Sequence, residues 1–260
     1  MIHFLSVLLN PYGRTAWLQP VMWTLLPFVV AGILFVPWMQ TAWKAVFSAA
    51  VSCGLLTLLM HVGRHTGKDA QDDLFRMWDG MPSAAMLRHR DTRIRPITKA
   101  RYQAFLERSV PMLKLASPED ESADADRAED GYVSATSWLL AQTRDKSRFG
   151  LLFSENVSYG FRRNVWALKP WALVFDAIVI GVAGAQIAGV WTGSAGNWTA
   201  DAGATPWIAV SLATVHAGIY ATKIRPEWVR SAAESYARQL LAACDTLAYE
   251  ETCRLNAQER

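Results

Sequence analysis

A chain of 260 residues, 52% hydrophobic and with a formal net charge of +3, is long enough for one or two soluble domains, and its total charge is too small to argue for nucleic acid. The three cysteines, Cys53, Cys244 and Cys253, form neither a CxxC pair nor a zinc spacing, which leaves free reduced thiols as the simplest account. The placement of the apolar residues is more informative than their number. They gather in two blocks, about 17–62 and 168–222, around a polar middle, and Trp17, Trp38, Trp43, Trp166, Trp171, Trp191 and Trp207 stand at the block edges. An indole ring with one N–H suits the headgroup level of a bilayer.

The N-terminal "MIHFLSVLLNPYG" lacks a basic n-region and a small-residue cleavage site, so it reads as a short interfacial helix rather than a cleaved signal. Residues 17–39, "WLQPVMWTLLPFVVAGILFVPWM", carry no charge and are long enough to cross a hydrocarbon core of about 30 Å. Pro20, Pro27 and Pro37 are tolerated in such a helix when neighbours satisfy the freed carbonyls. A second span over 43–62 follows at once, closing a tight hairpin and a first unit over 1–62.

Residues 63–167 read as a cytoplasmic helical segment. Its first part is basic: Arg88, Arg90, Arg93, Arg95, Lys99 and Arg101 surround a single Asp91. Guanidinium forks suit phosphate oxygens. Arg88, His89, Arg90, Asp91, Arg93 and Arg95 are therefore candidate ligand- or partner-binding residues, facing anionic headgroups, a nucleotide or a cytoplasmic protein partner. "HRD" at 89–91 lacks the Asn that a kinase loop needs, since position 96 is Pro, and "GRHTGK" at 63–68 is one residue short of a phosphate-binding loop. No cofactor, metal or catalytic residue is assigned. Residues 117–131 are rich in acid and read as a solvated linker.

The knot "SENVSYGFRRN" before the third span reads as a structural joint of Asp145, Glu155, Asn156, Tyr159, Arg162 and Arg163, with an Arg paired to a cytoplasmic carboxylate. Together with "LRHRD" and "TRDKSRFGLL" it resembles a group of uncharacterised bacterial four-helix, multi-pass membrane proteins with a YGFRRN-type juxtamembrane motif. The resemblance covers about 64–170 and carries no activity.

A second transmembrane hairpin is expected over 168–222, from spans at about 168–191 and 206–222. Ala177, Gly181, Ala185 and Gly189, and Ala209, Ala213, Ala217 and Ala221, recur at every fourth position, a spacing that lets helices approach closely in lipid. Asp176 lies at a depth where charge is costly, with Gln186 and His216 as polar partners. The tail 223–260 reads as an amphipathic cytoplasmic helix, with Trp228, Ala232, Leu240, Ala243 and Leu247 near one face. Of the 26 Lys and Arg, 18 fall in 63–169 and none in 192–205. The positive-inside rule then places both termini and the middle segment in the cytoplasm of a bacterium, with the spans in its inner membrane.

The expected architecture is all-α: two transmembrane helical hairpins with a cytoplasmic helical domain. The expected role is a non-enzymatic, oligomeric membrane module that couples a cytoplasmic signal or partner to a membrane change, in the manner of bacterial defence or stress effectors. The alternatives are a membrane-bound enzyme acting on a phosphate-bearing substrate and a passive scaffold.

Overall fold

The computed structural model describes residues 11–35, 66–189 and 204–258, and every regular element among them is helical, with no strand. The span expected at 43–62, Cys53, Pro37, Trp38, Trp43, Trp191 and most of the turn after the third span lie outside the described residues. In chain order the helices are α1 (Gln19–Phe35, entered through a π-wound turn at Gly13–Leu18), α2 (66–77), α3 (Pro82–Ala85), α4 (Pro96–Ser109), α5 (Pro118–Ala123), α6 (Ala125–Gln142), α7 (Gly150–Ala167), α8 (Lys169–Ile187), α9 (Thr205–Thr222) and α10 (Pro226–Gln258). Proline in the first turn opens α3, α4, α5, α8 and α9, where its missing N–H would have had no helical partner anyway.

Two compact units divide the chain: residues 1–71 with 160–229, and residues 72–159 with 230–260. In the first, α1, α8 and α9 pack against one another. Two helices, Gly13–Phe35 and Lys169–Ile187, are long and apolar enough to cross a membrane by length and composition. Their apolar side chains are mostly not buried: Met22, Leu26, Ile33, Val174 and Ile178 stand exposed. α9 is not one of the two, although it packs on both.

The small-residue stripe expected on α8 is not its packing face. Ala172, Asp176, Val179 and Ala183 are buried, whereas Ala177, Gly181 and Gly189 are exposed. A Cβ added at Gly181 would meet nothing within 4 Å. On α9 the stripe is half realised: Ala209 and Ala213 are buried with Val179 and Ala183, while Ala221 is exposed. The register of α8 follows Asp176, which must turn away from the apolar surround.

The second unit has one core, in which Leu87, Leu106, Tyr132, Leu139, Leu240 and Leu241 are fully buried. The tail thus folds onto the middle segment, and Cys244 sits in that core, where burial pushes its thiol up to about 12 and keeps it protonated. Residues 117–131 are not a linker; they form α5 and the start of α6. Ser117 and Asp120 make a reciprocal capping box, Asp124 caps α6 at the Arg127 amide, and the acids of the first turns complement the helix dipoles. One face of α6, Ala128, Tyr132, Ala135 and Leu139, is buried, which is all an amphipathic helix requires.

Candidate functional site

The first unit holds a buried polar pair on an otherwise apolar surface. Asp176 of α8 is 1% exposed and His216 of α9 is 6% exposed. Nδ1 of His216 lies 3.0 and 2.8 Å from the two Asp176 carboxyl oxygens, and Nε2 lies 3.0 Å from the Trp23 carbonyl of α1. The Tyr220 ring lies beside the imidazole, tilted by 37° with centroids 4.5 Å apart. Gln186 lies ten residues beyond Asp176, about 15 Å further along the helix, and is too far to join the pair.

The Trp23 carbonyl is free for a reason that can be read in the sequence. In an α-helix it would accept from the N–H four residues on, and that residue is Pro27. Pro20 frees the Ala16 carbonyl in the same way, and Asn164 Nδ2 donates to it at 2.6 Å. Asn164 closes the knot. Gly160, one turn earlier on α7, brings the helix so close to the N-terminal segment that a Cβ there would stand 2.7 Å from the Tyr12 hydroxyl and 3.2 Å from Ala16 Cβ. Arg162 donates to the Trp228 carbonyl at 3.0 Å with its guanidinium over the Trp228 ring, and Arg163 donates to Gln71.

In the second unit the basic run is largely occupied by internal partners. Arg88 is buried and forks three ways: Nε to Glu129 at 2.8 Å, Nη1 to the Asp79 carboxylate at 2.7 Å, and Nη2 to the Asp79 carbonyl at 2.6 Å. The bond to Glu129 holds its charge most firmly, against the cost of burial. The turn that aims Asp79 is left-handed, with φ of 61° at Asp79 and 107° at Gly80; a Cβ at Gly80 would lie 2.6 Å from Arg88 Nη2. Arg90 shares Asp79, and Arg93 bridges Asp91 and Glu234. Burial works against the Asp91 charge, but Arg93 outweighs it and holds the carboxyl below its ordinary value.

Lys99, also buried, donates to the carbonyls of Arg88 and Asp91, and burial lowers it from the ordinary lysine value. Arg95 is exposed at the start of α4. Glu121 accepts from the His89 amide at 2.7 Å, the Arg90 amide at 3.4 Å and the Tyr132 hydroxyl at 2.7 Å. Burial opposes its charge, and these donors overcome that and keep the carboxyl below its usual range.

A cavity of about 600 Å³ opens beside this cluster, lined among others by Phe75, Asp79, Arg88, Arg90, Glu129 and Tyr132. His89, Asp91 and Glu155 are not among its lining residues. The His89 ring meets the Ala116 carbonyl at 2.9 Å. Glu155 and Asn156 are half-buried on α7, Tyr159 stacks on Tyr236 with centroids 6.2 Å apart, and Asp145 caps its own turn through Ser147. Among the described residues no group of three or more His, Cys, Asp or Glu could hold a metal ion.

Lys99 and Asn164 stood in the basic run and the knot without being chosen as site residues, and Glu121, Glu129 and Tyr132, which also hold these clusters, were not singled out in the sequence. For Asn164 a signal existed, since Pro20 announces an Ala16 carbonyl in search of a donor. What the fold defines is an all-helical protein with two helices able to span a membrane by length and composition. Comparison with family models, with curated proteins and with solved structures finds no match.

Proposed function

We propose that this chain is a non-enzymatic inner-membrane module of bacteria, with two transmembrane hairpins and cytoplasmic termini, that couples a cytoplasmic signal or partner to a change in the membrane. The observation that carries the membrane part is the outward apolar surface of α1 and α8, whose side chains stay exposed although the helices pack together. The non-enzymatic part rests on the basic run: Arg88, Arg93 and Lys99 are engaged by carboxylates and carbonyls, and His89, Asp91 and Glu155 are not among the residues lining the cavity beside Arg88. The exposed apolar faces would serve lipid or further copies of the chain in a homo-oligomer, and a bacterial defence or stress setting fits such an effector.

Reporters fused at Gly196, Asp124 and Arg260 test the topology. The proposal expects the first outside and the other two inside, in a protein that resists extraction from membranes by alkaline carbonate. A cytoplasmic Gly196, or a carbonate-soluble chain, overturns it. The second reading, an enzyme or receptor for a small phosphate-bearing molecule, is favoured only by the cavity beside Arg88 and Arg90. It expects Arg90→Ala to abolish activity without a change in melting.

A further inference from the structure

His216 touches two helices at once, and the chemistry of its two contacts is not symmetrical. The Trp23 carbonyl, left without a helical donor by Pro27, can only accept, so Nε2 must carry a hydrogen. That fixes the other nitrogen. A neutral ring with its hydrogen on Nε2 has a bare Nδ1, and here Nδ1 faces both oxygens of Asp176 at 2.8 and 3.0 Å. A bare nitrogen against a bare carboxylate would set lone pair against lone pair, so one further proton belongs between them.

We propose that Asp176 and His216 form a proton-binding site within the apolar unit: together they hold one dissociable proton between Nδ1 and the carboxyl oxygens, and that proton ties α8 and α1 to α9. With it the pair is either an imidazolium and a carboxylate or a neutral imidazole and a carboxylic acid. Both forms have zero net charge, as an apolar surround demands. Loss of the proton leaves one N–H for two acceptors and a net negative charge, and one of the two bridges must open. A second proton keeps the bonds but leaves a net positive charge.

Among the described residues the surroundings supply no substitute for the proton. α1 carries no titratable residue over Gln19–Phe35. α8 adds Lys169 in its first turn, whose ammonium donates to the Ala221 and Ile224 carbonyls at 3.4 and 2.8 Å. α9 adds Tyr220, fully buried against the imidazole, with its hydroxyl beside the Thr24 hydroxyl of α1. Thr24 and Tyr220, both fully buried, make the spot a polar nest rather than a single pair. The proposal stands on this three-helix geometry and does not depend on the coupling role above.

Full-length protein with 15N-labelled histidine in lipid nanodiscs tests the proton inventory, His216→Gln identifying the signal. Between about pH 6 and 8 the expected spectrum has Nε2 protonated throughout and Nδ1 displaced from the shift of a free, bare nitrogen. A hydrogen on Nδ1 beside a bare Nε2 at neutral pH overturns the proposal. Reversible unfolding in mixed micelles gives a second readout. Separate Asp and His side chains would hold no such proton above about pH 7. Folding therefore takes one up, and the unfolding constant of the natural chain rises by up to about tenfold per pH unit. Asp176→Asn keeps hydrogen-bonding groups without a titrating one and removes that slope; equal slopes in the two proteins overturn the proposal. Should Asp176→Asn fail to fold, the nitrogen shifts of the natural chain still decide.

Discussion

Replacing Arg88 by Ala removes the group on which the loop between α2 and α4 is organised. Three donors are lost, at 2.8, 2.7 and 2.6 Å, together with the packing of the buried stem. The partners weigh unequally. The Glu129 side chain is 27% exposed, so stranding it costs about 1.5–3 kcal/mol, whereas Asp79 at 76% is rehydrated and its pair is worth less than about 1 kcal/mol. The sum is about 3 kcal/mol, or roughly a hundredfold in an opening equilibrium.

Hydrogen exchange of the full chain reads this locally. The Met86 and Leu87 amides, bonded to the Pro82 and Ala84 carbonyls, should lose about a hundredfold in protection, while Arg88→Lys should lose about half as much on a logarithmic scale. A change below about fivefold in Arg88→Ala would refute the view that Arg88 organises this loop, and would return it to the pool of ligand-binding candidates.

Gly160→Ala should lower detergent melting of the first unit by about 1–3 kcal/mol, since its Cβ meets the Tyr12 hydroxyl and Ala16; Tyr12→Phe in the same chain should restore part of the loss, and absence of rescue would point elsewhere. Gly181→Leu should leave melting unchanged while Val179→Ala costs about 1 kcal/mol, because Gly181 faces open space and Val179 is buried. The reverse order would restore the small-residue stripe as the packing face. Tyr132→Phe should cost about 1–2 kcal/mol and change the acid limb of stability. Glu121 lies below its ordinary value when folded, so its contribution is present above about pH 4.3 and fades as the pH falls through the folded value. Without the Tyr132 hydroxyl the folded value moves back toward the ordinary one, so the fade should be smaller and should end at higher pH in acid titrations followed by circular dichroism, and an unmoved acid limb would count against the assignment.

Some of this was legible and some was not. The charge-free run at 17–39 announces an apolar helix because span hydropathy depends on composition alone, and Gly13–Phe35 follows it within a few residues. Asp176 could be singled out because a carboxylate among apolar residues must find a partner, and His216 stands on the same stretch of spans. The packing face of α8 was hidden: fourfold spacing of small residues defines a face, but not which neighbour covers it. The acidic 117–131 stretch misled because net charge is averaged over a helix that buries only one side. Within it Glu121 goes inside, since three donors from distant positions converge on it. The Asp79–Gly80 dipeptide was a turn signal, yet nothing local says that the turn will receive Arg88.

Because proline has no N–H, the two carbonyls it frees in the N-terminal helix are answered by residues made much later, Asn164 at a separation of 148 and His216 at 193. At about 5–20 residues per second, ribosomal synthesis reaches His216 roughly 10–40 s after Trp23 has emerged. Until Asn164 is made the first helix carries two unmet acceptors, and from then until His216 is made it carries one, which lipid tails could not satisfy. In the membrane placement proposed above, it should therefore rest against water or the polar groove of an insertase during biogenesis, and enter the hydrocarbon fully only once the C-terminal helices arrive to dock on it.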